Sequence, residues 1–392
     1  MSDPKRIIIL GATGSIGAST LDIIRQHPER FDLVACTANT NAEGLAKICH
    51  EFRPTYAALA DEASQPALAS ALDGAATKTI DGSAALNEIA SLEVDVVVAG
   101  MVGASGVAPI MAALKAGNDV ALANKEALVC AGPQVLAAAH ASGCRLLPID
   151  SEHNAAFQLW NTAHEAHIER LTLTASGGPF RTRPLNTFAS ITPEEAVAHP
   201  NWDMGAKISV DSATMMNKAL ELIEAHYLFD LPAEKLDAVI HPQSLVHAMI
   251  TYEDGSTLAQ LAEPDMRIPI AAALSWPERL TLDVPKRHPA KLGELAFHDV
   301  EKERYPLFFL GCEALASGQA AMIALNAANE VAVAAFLNGH IAFTAIADMV
   351  AEAMALQAPT ELHSVDDVLA WDNAVRQHAE TLKKEQRYGM AG

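Results

Sequence analysis

Basic residues and cysteines are scarce in this sequence. Its 27 Lys and Arg stand against 48 Asp and Glu, which gives a formal net charge of −21. An acidic surface of this kind repels nucleic acids and anionic membranes, so we expect neither as a partner. The cysteines include no C-x-x-C pair, which argues against a thiolate zinc site and is typical of a reducing cytoplasm. They are scattered, at Cys36, Cys49, Cys130, Cys144 and Cys312.

A signal sequence and a membrane span are also missing from the pattern. Only four apolar residues precede Gly11 after the polar start, which is too short for the apolar core of a signal peptide. No apolar run has the length of a transmembrane helix. The chain has 392 residues and half of them are hydrophobic, so we expect a cytoplasmic protein of two or three domains.

A glycine-rich turn stands near the start of the chain. The apolar run Arg6–Leu10 predicts a strand, Gly11, Gly14 and Gly17 follow it, and Ala18–Gln26 has a helical pattern. Glycines let the backbone approach a pyrophosphate, and the helix N–H groups face its negative charge. The pattern therefore predicts a dinucleotide-binding turn. The alternative is a tight strand–helix turn that binds nothing.

The end of the second predicted strand favours NADP over NAD. The strand Asp32–Thr37 leads into Asn39, Thr40 and Asn41, with no acid before Glu43. An NAD site usually places an acid here to bind the ribose hydroxyl, whereas neutral side chains tolerate a 2′-phosphate. The alternative is that these polar residues only form a loop.

Further strands alternate with helical patterns, which predicts a doubly wound parallel sheet. The strands are Tyr56–Ala60, Thr77–Ile80, Val94–Ala99, Asp119–Ala123 and Arg145–Ile149. Ligands of such sheets bind at the carboxyl ends of the strands. We therefore expect three short segments to face the same crevice as the glycine turn. These are Gly100–Gly103, Asn124–Glu126 and Asp150–Glu152.

Two acids close the last of these strands. On an extended chain, Asp150 and Glu152 point to the same side, and paired carboxylates suit Mg²⁺ or Mn²⁺. The alternative is a strand end in solvent. Lys125 follows the preceding strand and could stabilise developing negative charge or move a proton. The alternative is an ordinary lysine at the N-terminus of a helix, paired with Glu126.

A second domain begins after residue 150. Arg170–Ala175 alternates polar and apolar residues, as a strand with one solvated face does. The turn Ser176–Phe180 predicts an anion-binding nest or, alternatively, a simple strand end. His199–Gly205 contains Trp202 and Met204 and predicts a lid over a ligand, or a loop packed on the surface.

A polar cluster follows on a predicted helix. Lys207–Ser212 predicts a short strand, and Ala213–Phe229 predicts a helix. Asn217, Lys218 and Glu221 share one face of that helix and could hold a phosphate and a metal together. The alternative is a solvated face with an ion pair.

The remaining chain predicts a hairpin, a linker and a helical end. Leu245–Tyr252 and Thr257–Leu261 flank the turn Glu253–Ser256, so the second domain is α+β. The fold class is thus α/β, with an N-terminal Rossmann-like parallel sheet, an α+β catalytic domain and a C-terminal helical bundle. The predicted boundaries are 1–149, 150–275, a linker at 276–306, and 307–392.

Eight motifs resemble those of the 1-deoxy-D-xylulose 5-phosphate reductoisomerase family, and the resemblance spans the whole chain. They are Gly11-Ala-Thr-Gly-Ser-Ile-Gly17, Ala121-Leu-Ala-Asn-Lys-Glu126, Pro148-Ile-Asp-Ser-Glu-His153, Ala175-Ser-Gly-Gly-Pro-Phe180, His199-Pro-Asn-Trp202, Lys207–Lys218, His241-Pro-Gln-Ser244 and Glu263-Pro-Asp-Met266. The resemblance implies rearrangement of 1-deoxy-D-xylulose 5-phosphate and its reduction by NADPH to 2-C-methyl-D-erythritol 4-phosphate. It also implies a homodimer, formed through the second domain.

The resemblance implies a role for each site residue. The ligands of Mg²⁺ or Mn²⁺ would be Asp150, Glu152 and Glu221, and these three with Lys125 would be catalytic. Lys125, Ser151 and Glu152 would lie at the reacting oxygens of the substrate. The substrate phosphate and nearby hydroxyls would bind Ser176, Ser212, Asn217 and Lys218, with His199, Trp202 and Met204 closing over them.

The resemblance also places the cofactor. Gly11, Thr13, Gly14, Ser15 and Ile16 would hold the NADPH phosphates. We further assign Asn39, Asn41, Asn124, Glu126 and Gly205 to the cofactor site. Some relatives have Gly-Lys-Asn where this chain has Asn39-Thr40-Asn41, so the grip on the 2′-phosphate is weaker here.

Two other functions remain open from the residues alone. One is a different metal-assisted NADP dehydrogenase, acting on a phosphorylated hydroxy acid without rearrangement. The other is a non-catalytic dinucleotide sensor, which would bind NADPH without turnover and tolerate loss of Asp150 or Glu152.

Overall fold

The computed structural model describes residues 3–198 and 205–384. The chain forms two compact units, and each is assembled from three separate segments. The first unit comprises Met1–Ala127, Pro133–Asn154 and Asp265–Pro285, and the second comprises Leu128–Gly132, Ala155–Pro264 and Lys286–Gly392. The four-part division expected from the sequence stays a prediction.

Strands and helices occur in the following order. The strands are β1 Lys5–Leu10, β2 Phe31–Ala38, β3 Tyr56–Leu59, β4 Lys78–Thr79, β5 Val96–Ala99, β6 Asp119–Leu122, β7 Leu146–Pro148, β8 Ile168–Ala175, β9 Leu236–Ile240, β10 Val246–Tyr252 and β11 Thr257–Leu261. The helices are α1 Ser15–Gln26, α2 Ala42–Phe52, α3 Gln65–Ala71, α4 Ala85–Ala90, α5 Val107–Lys115, α6 Lys125–Ser142, α7 Ser151–Leu159, α8 Pro193–Val197, α9 Ala206–Ala213, α10 Met216–Phe229, α11 Arg267–Ser275, α12 Pro306–Ser317, α13 Gln319–Leu337, α14 Ala345–Met354 and α15 Val365–Lys384.

The first unit is organised around a parallel sheet. Across residues 3–198 this sheet has seven strands in the order β4-β3-β2-β1-β5-β6-β7. Its central strands are buried on both faces, and Ile7, Ile8, Val97 and Val98 have no exposed surface. The strand order reverses beside β1, which has β2 on one side and β5 on the other. The carboxyl ends of these strands therefore form the crevice where parallel sheets bind ligands.

A late segment of the chain completes the first unit. Helix α11 packs against α1. The Arg267 guanidinium binds the Asp22 carboxylate at 3.0 Å, and Lys5 Nζ donates to the Leu274 carbonyl at 2.9 Å. These contacts join the start of the chain to residues about 250 positions later.

The second unit contains a smaller mixed sheet. In its described part, four strands lie in the order β11-β10-β8-β9. β10 runs antiparallel to β8 and β11, and β9 runs parallel to β8. The predicted hairpin is confirmed, since Thr251 pairs with Thr257 across its turn.

A helical bundle forms the rest of the second unit. α13 packs against α12, α14 and α15. It is long and apolar enough to cross a membrane by length and composition alone, and 72% of its most apolar window is buried inside the protein. Burial of this extent is typical of a core helix. The predicted fold class is confirmed: a parallel α/β sheet, a second α+β region and a C-terminal bundle.

Candidate active site

The glycine turn joins β1 to α1 with little space for side chains. Gly11 has φ +86°, and a Cβ added there would lie 2.8 Å from the Gly100 carbonyl oxygen. A Cβ at Gly17 would lie 2.4 Å from the carbonyl oxygen of Ala12. Thr37, at the end of β2, holds the turn: its Oγ1 accepts from the Gly11 N–H at 3.2 Å, and its carbonyl accepts from Ala12 at 2.7 Å.

The free N–H groups of α1 begin at this turn. Gly14 precedes the helix in extended backbone and makes no side-chain cap. Thr13, Ser15 and Ile16 are at least partly exposed around it. A twelve-residue helix that starts on an uncapped glycine turn is suited to bind a phosphate group. The turn thus lies where the sequence predicts it.

Polar residues at the end of β2 are exposed, as a cofactor contact requires. Asn39, Thr40 and Asn41 follow the strand directly. The Asn41 side chain also caps α2, because its Oδ1 accepts from the Gly44 N–H at 2.9 Å. Their binding of the NADP 2′-phosphate stays a prediction.

The Asn124 side chain forms hydrogen bonds that connect the loops at the carboxyl ends of β5 and β6. Its side chain is fully buried, and Nδ2 donates to the carbonyls of Met101 at 3.0 Å and Gly103 at 2.9 Å. Its Oδ1 caps α6 by accepting from the Ala127 N–H at 3.0 Å. Nδ2 also lies 3.2 Å from the Glu126 carboxylate. Asn124 therefore shapes the crevice edge.

The expectation of an extended chain at Asp150 and Glu152 is wrong. β7 ends at Pro148 and α7 begins at Ser151, so the two acids stand at a helix start. The reason is local hydrogen bonding: Asp150 Oδ1 accepts from the Ser151 N–H at 3.0 Å, and its carbonyl accepts from the Asn154 N–H at 2.8 Å. Short polar side chains favour such helix starts over strands.

The acids of the first unit lie in a partly buried charged cluster. Lys125 Nζ is 2.8 Å from Asp150 Oδ2, with 8% and 18% of their side chains exposed. His153 is fully buried, with Nδ1 3.9 Å from the same carboxylate. The Ser151 hydroxyl donates to Glu152 Oε2 at 2.5 Å. Two carboxylates form a set of hard oxygen donors, which fits Mg²⁺ or Mn²⁺.

The turn after β8 is tightly built. Gly177 and Gly178 have φ +80° and +67°, and the Gly178 N–H donates to Ser176 Oγ at 3.1 Å. A Cβ added at Gly178 would lie 2.8 Å from the Ser212 carbonyl oxygen and from Ala213 Cα. The turn therefore packs on the end of α9, which brings Ser176 and Ser212 into one region.

The predicted strand Lys207–Ser212 is wrong, because these residues form α9. Lys207 and Asp211 make an i,i+4 ion pair at 3.0 Å that only a helix allows. Asp211 is buried and accepts from Asn329 Nδ2, on α13, at 2.8 Å. Packing thus overrides the strand preference of Ile208 and Val210.

Asn217, Lys218 and Glu221 share one face of α10, as predicted. Asn217 Nδ2 donates to Glu221 Oε1 at 2.5 Å, and Lys218 Nζ binds the other carboxylate oxygen. The side chains of Lys218 and Glu221 are only 4% and 1% exposed, so the solvated face considered as the alternative is wrong. A buried ion pair costs desolvation energy and adds little stability. Its burial in this unit favours a binding role.

Comparison with known proteins covers both units. Models of 1-deoxy-D-xylulose 5-phosphate reductoisomerase match residues 7–132, those of its C-terminal domain match 146–229, and a further DXP reductoisomerase C-terminal domain matches 261–378. The reductoisomerase of Tolumonas auensis is 49% identical over 94% of this chain and 96% of its own. That of Ralstonia nicotianae is 50% identical over 96% and 97%.

The chain belongs to the 1-deoxy-D-xylulose 5-phosphate reductoisomerase family. Among solved reductoisomerases, one in complex with NADPH, fosmidomycin and magnesium superposes with a TM-score of 0.93 at 42% identity, covering 98% of this chain and all of that one. The enzyme from Zymomonas mobilis in complex with NADPH gives 0.91 at 43%, covering 97% and 100%.

Three of the predicted site residues are not placed. His199, Trp202 and Met204 lie outside the described residues, so the lid stays a prediction. Gly205 is described, and its carbonyl accepts from the Ser209 hydroxyl at 3.0 Å at the start of α9.

The sequence does not predict a role for Arg304 and Tyr305, which bind the backbone of the turn that contains Ser176. Arg304 and Tyr305 lie in the stretch predicted to be a linker, where an ordered contact has no periodic signal. The Tyr305 hydroxyl donates to the Gly177 carbonyl, and Arg304 donates to the carbonyls of Phe180 and Arg183. A lone aromatic residue among charges, just before a Pro-started helix, was the available hint.

Proposed function

We infer that this protein converts 1-deoxy-D-xylulose 5-phosphate to 2-C-methyl-D-erythritol 4-phosphate, with NADPH and a divalent metal. The observation that carries this conclusion is family membership over nearly the whole chain at about half identity. The described residues fit the reaction, since a dinucleotide turn and a carboxylate pair lie at the same edge of one parallel sheet. When bound, NADPH supplies a hydride, and the metal supplies a Lewis acid and a template for the substrate oxygens.

We propose that Asp150, Glu152 and Glu221 hold the metal, Mg²⁺ or Mn²⁺. Carboxylate oxygens are the donors that both ions prefer. Burial of the Glu221 carboxylate beside Lys218 supports a role other than stability. Measuring turnover with each ion separately, at matched concentrations, tests which one the protein uses.

We propose that Lys125 acts at the substrate oxygen where negative charge develops. Its ammonium is nearly buried and held by Asp150, so it is oriented before the substrate binds. A positioned ammonium in a site with little water stabilises an oxyanion or donates a proton to it. Ser151, hydrogen-bonded to Glu152, would orient a substrate hydroxyl beside it.

The substrate phosphate is proposed to bind in the second unit. Ser176, Ser212, Asn217 and Lys218 supply hydroxyl, amide and ammonium donors, which suit a phosphate. His199, Trp202 and Met204 would close over the bound substrate and exclude water. The net charge of −21 makes such a local basic site necessary for an anionic substrate.

The cofactor is proposed to lie along the first sheet. Gly11, Thr13, Gly14, Ser15 and Ile16 would bind its phosphates at the start of α1. Its remaining contacts would come from Asn39, Asn41, Asn124, Glu126 and Gly205. The exposed neutral residues after β2 support NADP over NAD.

We propose a cytoplasmic homodimer formed through the second sheet. In the described part of the chain β11 pairs only with β10, and its Leu258 and Leu261 are 47% and 40% exposed. An unpaired strand edge with exposed leucines is suited to pair with a second copy. Light scattering should give twice the chain mass, and Leu258→Lys should shift the protein towards monomer. The described cysteines are all free, as in a reducing compartment.

The deciding experiment follows NADPH oxidation with 1-deoxy-D-xylulose 5-phosphate, with Mn²⁺ or Mg²⁺ and then with a chelator. Asp150→Asn should lower metal-dependent turnover by at least about a hundredfold, because a Lewis acid contributes several kcal/mol to transition-state stabilisation. NADPH affinity, measured by fluorescence, should stay nearly unchanged.

Asp119→Asn is the matched control for that experiment. Asp119 pairs with Arg145 at 2.5 Å at the opposite end of β6, away from the crevice, so turnover should persist. Full activity in Asp150→Asn would refute the metal assignment. Absence of oxidation by folded, NADPH-bound wild-type protein would instead favour the dehydrogenase or sensor functions.

A further inference from the structure

Two successive residues before α12 reach back to the turn that follows β8. The Tyr305 hydroxyl donates to the Gly177 carbonyl at 2.9 Å, from 128 positions along the chain. The Arg304 guanidinium donates to the Phe180 carbonyl at 3.0 Å and to the Arg183 carbonyl at 2.7 Å. Tyr305 is 1% exposed, so its hydrogen bond is shielded from water.

This hydrogen bond controls the orientation of one peptide group. The carbonyl of Gly177 and the N–H of Gly178 belong to the same planar trans peptide and point in opposite directions. That N–H donates to Ser176 Oγ at 3.1 Å. A donor that holds the carbonyl therefore also holds the N–H against the serine oxygen.

Without such a donor, this peptide group would rotate more easily than a peptide group between residues that carry side chains. Both flanking residues are glycines with positive φ, and glycine occupies several backbone regions at similar energy. On the two sides of this peptide, the His241 N–H donates to the Ala175 carbonyl at 2.7 Å, and Gly178 packs on Ser212 and Ala213. Gly177 itself lies beside the side chains of Arg181 and Ile240, which are apolar contacts that do not hold its carbonyl. Tyr305 acts on the peptide itself.

We propose that Tyr305 is a positioning residue for the substrate phosphate, which it orients through the Gly177–Gly178 peptide and the Ser176 hydroxyl. This inference rests on the proposed assignment of Ser176 to the phosphate. Tyr305 itself touches no reacting atom in this scheme. Its phenol selects the one rotation of the peptide that presents Ser176 Oγ as the acceptor of the Gly178 N–H.

The chemistry of Tyr305 suits a permanent donor. Burial raises the pKa of Tyr305 to about 12, so the phenol stays protonated at neutral and mildly alkaline pH. A buried carbonyl that loses its donor is destabilised, which favours rotation of the peptide in a variant without the hydroxyl.

Tyr305→Phe tests the inference because it removes only the hydroxyl. The KM for 1-deoxy-D-xylulose 5-phosphate should rise about five- to twentyfold, the range expected for a misplaced phosphate contact. The kcat should stay within about twofold, because the reacting centre is untouched. The KM for NADPH should not change.

Tyr227→Phe is the matched control. The Tyr227 hydroxyl is partly buried in the second unit and donates to Met322 Sδ at 3.5 Å. Burial raises the pKa of Tyr227 to about 12 as well. This variant should keep the wild-type KM for both substrates, and the melting temperatures of the two variants show whether either loses stability.

A double-mutant cycle with Ser176→Ala separates positioning from a general structural role. If Tyr305 acts through Ser176, the effects of the two substitutions on kcat/KM should be strongly non-additive. Additive effects, or a Tyr305→Phe variant with the KM of Tyr227→Phe, would overturn the inference and leave the phosphate assignment intact. An unchanged KM in Ser176→Ala alone would refute the phosphate assignment itself, and the inference with it.

Discussion

Two glycine-containing turns, one in each unit, are both closely packed and have different origins. The turn from Gly11 to Gly17 is shaped by its own glycine spacing and by its two neighbouring strands, which supply Thr37 and Gly100. The turn from Ser176 to Gly178 is shaped by α9 and by Tyr305, from other parts of the chain. The sequence predicts both turns, but the contacts that shape the second turn come from distant segments and cannot be recognised in its own short stretch of sequence.

The largest effect should come from the first turn. Gly17→Ala places a Cβ 2.4 Å from the Ala12 carbonyl oxygen, and a backbone atom cannot move aside as a side chain can. In an open helix the change would stabilise, but here overpacking should lower the free energy of unfolding by about 3 kcal/mol. Urea unfolding measures this loss, and NADPH affinity should fall with it.

Gly14→Ala separates the loss of NADPH affinity from the loss of stability. A Cβ at Gly14 would lie 3.4 Å from the Gly11 carbonyl oxygen, an ordinary contact. This variant should keep its stability and lose NADPH affinity, because a Cβ blocks approach of the phosphate. Equal unfolding curves for Gly14→Ala and Gly17→Ala would show that the close packing at Gly17 does not determine the stability of this turn.

A smaller effect, on the KM for the phosphorylated substrate, is expected from a substitution in the second turn. Gly178→Ala forces a side chain into φ +67° and within 2.8 Å of α9, so the KM for the phosphorylated substrate should rise more than about tenfold. NADPH affinity should persist. Gly255→Ala is the control, because Gly255 has φ +83° with no atom within 4 Å of the added Cβ. A rise in KM in the control would show that backbone strain alone is responsible.

The smallest effect on ligand affinity is expected for Asn124, whose side chain binds two carbonyl groups about twenty residues earlier in the first unit. Asn124→Ala frees the Met101 and Gly103 carbonyls, and NADPH affinity should fall about fivefold, or about 1 kcal/mol, the value of one hydrogen bond. Asn118→Ala is the control at the other end of β6, where the amide binds the carbonyls of Ala90 and Leu92. Both variants should lose stability, and a similar loss of NADPH affinity in Asn118→Ala would contradict a local role for Asn124.

Local patterns predict the features that lie within a short window of the sequence. Arg6–Leu10 was predicted as a strand and β1 covers Lys5–Leu10, because an apolar run followed by a glycine turn leaves few alternatives. The face shared by Asn217, Lys218 and Glu221 follows from helix periodicity alone.

Other features depend on tertiary contacts that no short window contains. The segment Lys207–Ser212 has strand-forming residues, yet the buried contact of Asp211 with Asn329 favours a helix. The start of α7 differs from these cases, because a local hydrogen bond from the Ser151 N–H to Asp150 favours the helix start and the apolar run before it does not indicate this. The contact of Tyr305 with Gly177 spans 128 positions, which is beyond any local signal.

The interleaved segments of the two units have a consequence for protein synthesis. The first unit includes Asp265–Pro285, so a ribosome must release 285 of the 392 residues before that unit is complete. Until then the face of α1 that α11 will cover, and the carboxylate of Asp22 that Arg267 will bind, stay exposed on the nascent chain. Contacts this distant in sequence form slowly. Residues of the second unit therefore leave the ribosome before the first can close, and chaperones have a defined apolar surface to protect during that interval.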